Sequence, residues 1–590
     1  MIFKMKELII SLVCMVVSSA GCQKKSIKDN TGLIDQTDLE TIQITSDMAI
    51  YSPGDKVSFS IDKTLPPGTK ITYKSLNTVV MEQPLSGTGW TWVAPSPDFS
   101  GYMVELSGIE NGKTKTYGCI AVDVSSNAAR FPRNGFLSQY GPMSEPEMSN
   151  VMNTLNRYHM NWVQFQDWEY KHHMPLAGSV ANPLANWNDI ANRNNLMATV
   201  KQYIHLAHGY NMETLSYNMI YGALSDAAAD GVNEQWYMYE DQQHQTKEVI
   251  HLPKPPFKSD IFFLDPSNTG WQNYIASKTK EAFAVYNFDG YQVDQFGNLN
   301  KNLYTYSGSL INVEATFKPF LEAMKTQMPG KKLVMNAVNQ YGQQTSISKS
   351  PVDFLYTEVW APNEEYKDLA TIIQNNDQWS NHLKKTILCA YMNYNLAENP
   401  GYFNTPGVLL TDAVIFAFGG AHLELGEHML GKEYFPNDNL QMRDDLKAAM
   451  VRYYDFLTGY ENLLRDGGTF NNPAIISADG KMKLNNWPPA TGAVSIVGKD
   501  MGQKQVIHLI NFANAASFDW RDADGKQPVP TTIISPKLNF SSDKPVKKIW
   551  FASPDLDFGA SRNIEFTQSG SMVTFSIPAL QYWDMIVVEY

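Results

Sequence analysis

Between Arg130 and Gly467 short strand-like runs alternate with longer helical stretches, and this alternation constrains the fold more than any other feature. The runs fall at 135–139, 162–166, 214–220, 290–294, 333–336, 354–359, 387–392 and 422–425. Helical stretches separate them, among them 271–286 before the fourth run and 314–327 before the fifth. Eight strands in about 340 residues, each followed by a helix, predict a central (β/α)8 TIM barrel with enlarged loops.

The flanks have a different period. From Ile42 to Val124 short alternating runs are broken by Gly, Pro and Asn, the pattern of an immunoglobulin-like β-sandwich. After Asp466 the β pattern returns at 505–510, 547–551 and 572–577, and the final run 584–590 is expected to be a packed last strand. The expected division is a leader at 1–21, a tether at 22–36, an N-terminal β-sandwich at 37–127, the barrel at 128–467 and a C-terminal antiparallel β-sandwich at 468–590. A chain of 590 residues is too long for one core and suits this division.

Lys4 and Lys6 precede an apolar run from Leu8 to Val17, then small residues and Cys22, which is the order of a secretory signal. Ser19-Ala20-Gly21-Cys22 resembles the bacterial lipoprotein box, with Ser19 where Leu is usual. Export and lipidation at Cys22 are therefore expected, with ordinary signal cleavage as the alternative; the lipid alone would anchor the protein to the outer membrane, on either its periplasmic or its cell-surface face. The apolar run is shorter than the ~20 residues a membrane-spanning helix needs. With Cys14 removed and Cys22 lipidated, Cys119 and Cys389 remain, in different expected domains, so no disulfide framework is predicted. Zinc spacing is absent, so neither redox nor structural-zinc chemistry has support, and the adjacent His172 and His173 point oppositely with no spaced partners for a metal. A net charge of −13 argues against nucleic acid, because neutralising phosphates takes clustered Lys and Arg. It leaves a neutral polymer acceptable as substrate. The 13 Trp and 30 Tyr supply flat apolar rings of the kind on which sugar faces stack, and equally the kind that fill cores.

In a barrel of this type, polar residues at the C-terminal strand ends carry the chemistry. Asp294 closes the fourth run and Glu358 nearly closes the sixth. Two carboxyls aimed into one cavity are what glycoside hydrolysis requires. Glu358 lies among Tyr356, Val359 and Trp360, an apolar setting that suits a protonated acid. Asp294 lies between Gln292 and Gln295, a polar setting that keeps a nucleophile ionised. The structural alternative is a helix cap at Asp294 and a salt bridge at Glu358.

The block from Phe288 to Gly297 resembles the nucleophile segment of glycoside hydrolase family 66, the dextranases and cycloisomaltooligosaccharide glucanotransferases. Glu358-Val359-Trp360 resembles that family's acid/base segment. Gln166-Asp167-Trp168, the stretch from Ser216 to Tyr221, and the stretch from Gly420 to Gly426 with its continuation to Pro436 also resemble the family, in barrel order. The resemblance implies retaining endo-cleavage of α-1,6-linked glucan, dextran, to isomaltooligosaccharides, with Asp294 as nucleophile, Glu358 as acid/base and no metal or organic cofactor. Cyclising members of the family carry a carbohydrate-binding module late in the barrel. The 27 residues between Tyr394 and His422 leave no room for one, which favours a hydrolytic dextranase.

Trp168, Tyr217 and Trp360 are candidate stacking platforms, each also a candidate core residue. Asp167, Asn218, Gln292 and Asn336 are candidate partners for glucose hydroxyls. His422 and Glu424 alternate along one strand and share a face; pointing inward, they would clamp a sugar, and the alternative is that they satisfy each other. A monomer is expected. Two rival readings stay open: a surface glycan-binding lipoprotein without catalysis, and a same-fold enzyme acting on another α-glucan or mainly transglycosylating.

Overall fold

The computed structural model describes residues 42–590. Eight parallel strands follow one another in chain order. The first five are Asn134–Leu137, Trp162–Phe165, Glu213–Met219, Gly290–Asp294 and Lys332–Met335, and they form one sheet. The sixth to eighth, Leu355–Glu358, Thr386–Cys389 and Ala421–Leu423, form a second. Parallel bridges from Asn336 to Tyr356 and from Phe136 to Gly426 join the two sheets at both seams, so the strands make a ring.

Helices follow seven of the eight strands. They are Glu145–Arg157, Met197–Gly209, Thr269–Tyr286, Val313–Gln327, Tyr366–Trp379, Thr405–Ala417 and Asp444–Gly459. After the fifth strand only short 3-10 turns appear, at Val338–Gln340 and Ile347–Lys349. The helix starts are written locally: Ser144 and Glu147 form a reciprocal capping box, with a proline in the first turn. Helix Thr405–Ala417 is apolar on every side apart from Thr405, Thr411 and Asp412, and every one of its residues is buried. A helix of that kind needs cover on both sides. One side lies on the ring, and the C-terminal unit covers the other, with Trp583 against Phe416 and Trp520 receiving a hydrogen bond from the Thr411 hydroxyl at its carbonyl.

On the N-terminal side, antiparallel strands between Ile44 and Val124 form a three-stranded and a four-stranded sheet. Strand Lys56–Ile61 alternates outward Lys and Ser with inward Val57, Phe59 and Ile61, a period of two that fits one buried face. On the C-terminal side a seven-stranded and a four-stranded antiparallel-rich sheet enclose their own core. The last strand, Trp583–Glu589, lies inside the larger sheet, paired with Lys504–Asn511 and Lys548–Ala552.

Buried ion pairs lock the units together. Arg133, fully buried just before the first ring strand, donates to Asp123 of the N-terminal sheet at 2.6 Å and to Glu461 at 3.0 Å. Two carbonyls, of His159 and Phe131, take further guanidinium protons, so the charge is paired and hydrogen-bonded. Arg562 of the C-terminal unit reaches Glu105 of the N-terminal one at 3.0 Å. Cys119 and Cys389 are both buried and free. Cys22 and the leader fall outside the described residues.

Candidate active site

Parallel neighbours in register share a face, so the pairing shows which side chains point into the ring. Tyr217 pairs with Gln292 and Met219 with Asp294. Gln292 pairs with Val334, and Glu358 with Cys389, which pairs with Leu423. Asp294, Glu358, Tyr217, Gln292 and, two residues beyond Val334, Asn336 therefore share the inner face. Among the described residues, they converge at the C-terminal ends of the strands.

Asn336 spans the two carboxyls. Its side-chain NH2 donates to Asp294 Oδ1 and to Glu358 Oε2, both at 2.9 Å. Its oxygen accepts the Glu358 main-chain N–H at 3.2 Å, which fixes the orientation of the amide. With the two amide hydrogens ~120° apart, two bonds of this length hold those carboxyl oxygens about 5 Å from one another. Asp294 accepts two further bonds, from the Gln295 main-chain N–H at 2.8 Å and from the Tyr217 hydroxyl at 2.8 Å. Glu358 Oε1 accepts from the Tyr391 hydroxyl at 2.7 Å.

Their electrostatics differ accordingly. Burial raises the Glu358 carboxyl, the negative charge of Asp294 raises it further, and bonds from Tyr391, Asn336 and Trp360 pull it partly back, leaving it at about 7. Burial also raises Asp294, against three hydrogen bonds that favour its anion. A carboxyl held near neutrality beside one whose anion three hydrogen bonds favour is the arrangement for general acid and nucleophile.

The other candidates divide. Tyr217 serves Asp294 as a donor and is nearly buried. Gln292 is buried one layer below, its side-chain oxygen without a protein partner. Trp360 stays partly exposed beside Tyr391 and Tyr394, with ring centroids 5.4 and 6.0 Å away. Asp167 sits at the ring mouth in a left-handed turn (φ 49°), and burial followed by Glu169 pushes its carboxyl up to about 7.

Trp168 points away from the cavity. It is fully buried among Trp187, Tyr286 and Phe288, and its indole donates to Ser216, an outward-facing residue. Asn218, in register with Val293, also faces outward and donates to the His172 carbonyl, bracing the loop after the second strand.

His422 and Glu424 do share a face, but it is the outer one, because Leu423 between them is the residue in register with Cys389. Both are fully buried against the helices. His422 Nε2 donates to the Ala390 carbonyl at 2.8 Å. Its Nδ1 lies 2.8 Å from Asp412 of helix Thr405–Ala417 and 3.3 Å from Glu424. Tyr454 donates to Glu424 at 3.0 Å. Burial drives both carboxyls well above their ordinary range, and the hydrogen-bonded cluster braces the eighth strand.

Several residues at the site carry no motif. Tyr391 shows itself only through strand parity, two places beyond inward-facing Cys389. Glu169 and His172 form a buried pair, 2.8 Å apart, and His172 is among the charges lowering Asp294. His173 turns the other way, to Asp230 at 2.9 Å, where the Lys171 ammonium bridges Asp226 and Asp230 at 2.7 and 2.6 Å. That ammonium supplies the cation those carboxylates need.

The profile of the family described as glycosyl hydrolase family 66 matches residues 46–587, nearly the whole described chain. The chain belongs to this family. Among its relatives, a cycloisomaltooligosaccharide glucanotransferase from Niallia circulans is 27% identical over 649 residues, covering 85% of this chain and 66% of that protein. A dextranase from Streptococcus salivarius is 24% identical over 610 residues, covering 90% of this chain and 71% of that one. This chain thus spans about two thirds of the length of these relatives. The fold matches that of a Paenibacillus cycloisomaltooligosaccharide glucanotransferase, solved with cycloisomaltoheptaose, with a TM-score of 0.85 at 23% identity, covering 93% of this chain and 99% of the other. In this family 66 chain, the Asp294–Asn336–Glu358 bridge is the centre of the inner face.

Proposed function

We propose that this protein is a retaining endo-hydrolase of α-1,6-linked glucans, cleaving dextran to isomaltooligosaccharides, with Asp294 as nucleophile and Glu358 as acid/base. The observation that carries the reading is the Asn336 amide shared by both carboxyls. A separation of about 5 Å leaves no room for a water between the carboxyl and the sugar, and matches the ~5–5.5 Å of retaining enzymes. The ring of strands serves as a (β/α)8 barrel, between an immunoglobulin-like N-terminal sandwich and a C-terminal sandwich.

In the first step Asp294 attacks the anomeric carbon as the bond to the leaving O6 breaks, and Glu358 gives its proton to that oxygen. The resulting ester cancels the charge of Asp294, which had been raising Glu358, so the Glu358 carboxyl becomes more acidic. It is then an anion when it must take a proton from the incoming water. That water attacks the anomeric carbon, the product departs and the Asp294 carboxylate is restored. Tyr217 and Asn336 hold the nucleophile throughout, and the partly exposed Trp360 offers a face to the sugar.

Hydrolysis is favoured over cyclisation by the segment between the seventh and eighth strands. It holds a 3-10 turn, the short strand Gly401–Tyr402 and helix Thr405–Ala417, with no inserted domain. Glucanotransfer is the second reading, favoured by the activity named for the Niallia relative. Reducing-end release from dextran, with starch and pullulan in parallel, tests the main one. Wild type is expected to cleave dextran, and Asp294→Asn and Glu358→Gln to lose about 10³-fold or more. Cyclic products without reducing ends would favour transfer, and dextran bound but uncleaved would sink the enzyme reading. We further propose export with a lipid on Cys22. Membrane-fraction labelling by a fatty-acid probe should vanish in Cys22→Ser.

A further inference from the structure

A loop of the C-terminal unit reaches the mouth of the ring at the sixth strand, which carries Glu358, and at the seventh, which leads to Tyr391. Residues 517–524 dock there through bonds that include a main-chain one, from the Asn393 N–H to the Arg521 carbonyl at 2.8 Å, and a side-chain one, from the Trp520 indole to the Asn363 carbonyl at 2.8 Å. Arg521 enters deepest. Its guanidinium donates to the Val359 carbonyl at 3.0 Å and to the Tyr391 carbonyl at 3.2 Å. It also lies over the rings of Trp360 at 5.1 Å, Tyr394 at 5.2 Å and Trp520 at 4.6 Å.

These contacts are specific in what they join. Val359 follows Glu358 directly, and Tyr391 is the residue whose hydroxyl bonds Glu358 Oε1. A planar, permanently charged fork ties both main chains to each other and clamps Trp360 beside them. A simple docking contact has no need to meet both carbonyls flanking the acid. We propose that Arg521 is a positioning residue for Glu358, supplied by the C-terminal unit, which fixes the acid's height over the scissile oxygen without touching the substrate. The proposal rests on Glu358 being the acid/base.

Its signature is dependence on the leaving group. Dextran needs its leaving oxygen protonated, while an α-glycosyl fluoride of an isomaltooligosaccharide expels fluoride with little help from an acid. Both use Asp294 and the same sites on the glycone side of the scissile bond. The measurement is kcat/KM on each substrate for the full-length wild type, Arg521→Met, Arg521→Lys and Glu358→Gln. The fluoride-to-dextran ratio is the readout, since an unfolded fraction lowers both numbers equally and leaves the ratio alone.

The ratio is expected to rise about 10- to 100-fold in Arg521→Met, the scale of loss when a reacting group is misplaced by about an ångström. Arg521→Lys, which keeps the charge and reaches one carbonyl, should fall between. A ratio unchanged in Arg521→Met, whatever the absolute rates, overturns the proposal. A ratio unchanged in Glu358→Gln overturns the acid assignment beneath it, a distinct result.

Discussion

Replacing Tyr391 with Phe removes one oxygen and leaves the ring packed against Trp360, so its effect on Glu358 is electrostatic and can be worked out. The hydroxyl donates to Glu358 Oε1 at 2.7 Å, and a donor at that distance favours the anion over the acid. A hydrogen bond to a charged acceptor contributes about 1.5–3 kcal/mol, and to a neutral one about 0.5–1.5. The difference, about 1–1.5 kcal/mol, corresponds to roughly one pKa unit. Glu358, held at about 7 in the wild type, should therefore rise to roughly 8 in Tyr391→Phe. On the proposed assignment the protonated form is the catalyst for the first step, so kcat/KM falls as pH rises through this value. The basic limb of the profile should move up by about one unit. At pH 8, the fraction protonated would go from about one tenth to about one half, so the variant keeps about fivefold more of its own plateau activity than wild type does. The assay is reducing-end release from dextran at low substrate, from pH 5 to 9. A limb that stays in place, or moves to lower pH, would refute either the donor role of Tyr391 or Glu358 as the titrating group.

Two further variants probe the inner face and the outer one. Asn336→Ala frees both carboxyls at once, and kcat on dextran should fall about 10²–10³-fold, the scale for losing one preorganised donor. The same change removes a bond that lowers Asp294, so the acidic limb of the profile should move to higher pH, a shift that pure misfolding would not produce. Asp412→Ala breaks the buried cluster with His422 and Glu424 and should cost about 3–5 kcal/mol of stability, read by urea unfolding. KM for dextran should stay within about twofold in the folded protein, because the cluster faces away from the cavity; a large rise in KM with stability intact would restore these residues to the sugar site.

The order of strands and helices was legible because a period of two and a period near 3.6 are written locally, and the eight predicted runs coincide with the eight ring strands. Asp294 and Glu358 were legible for a related reason: each ends a strand, and strand ends of a parallel ring face one mouth. Parity along a single strand says which residues share a face but not which face it is. His422 and Glu424 were correctly paired and wrongly aimed, and only the register of Leu423 with Cys389, itself opposite Glu358, decides the direction. Trp168 and Asn218 fail in the same way. Each lies beside a site residue in sequence and therefore, by alternation or by the turn at Asp167, points to the opposite side. Tyr391 was recoverable by counting two places from an inward cysteine, given that register. Arg521 was not: 162 residues separate it from Val359, and nothing near it in sequence marks which carbonyls it meets. The carboxyl pair proposed to react is thus written in local strand grammar, and the groups that hold the pair in place are written in contacts between strands and between units.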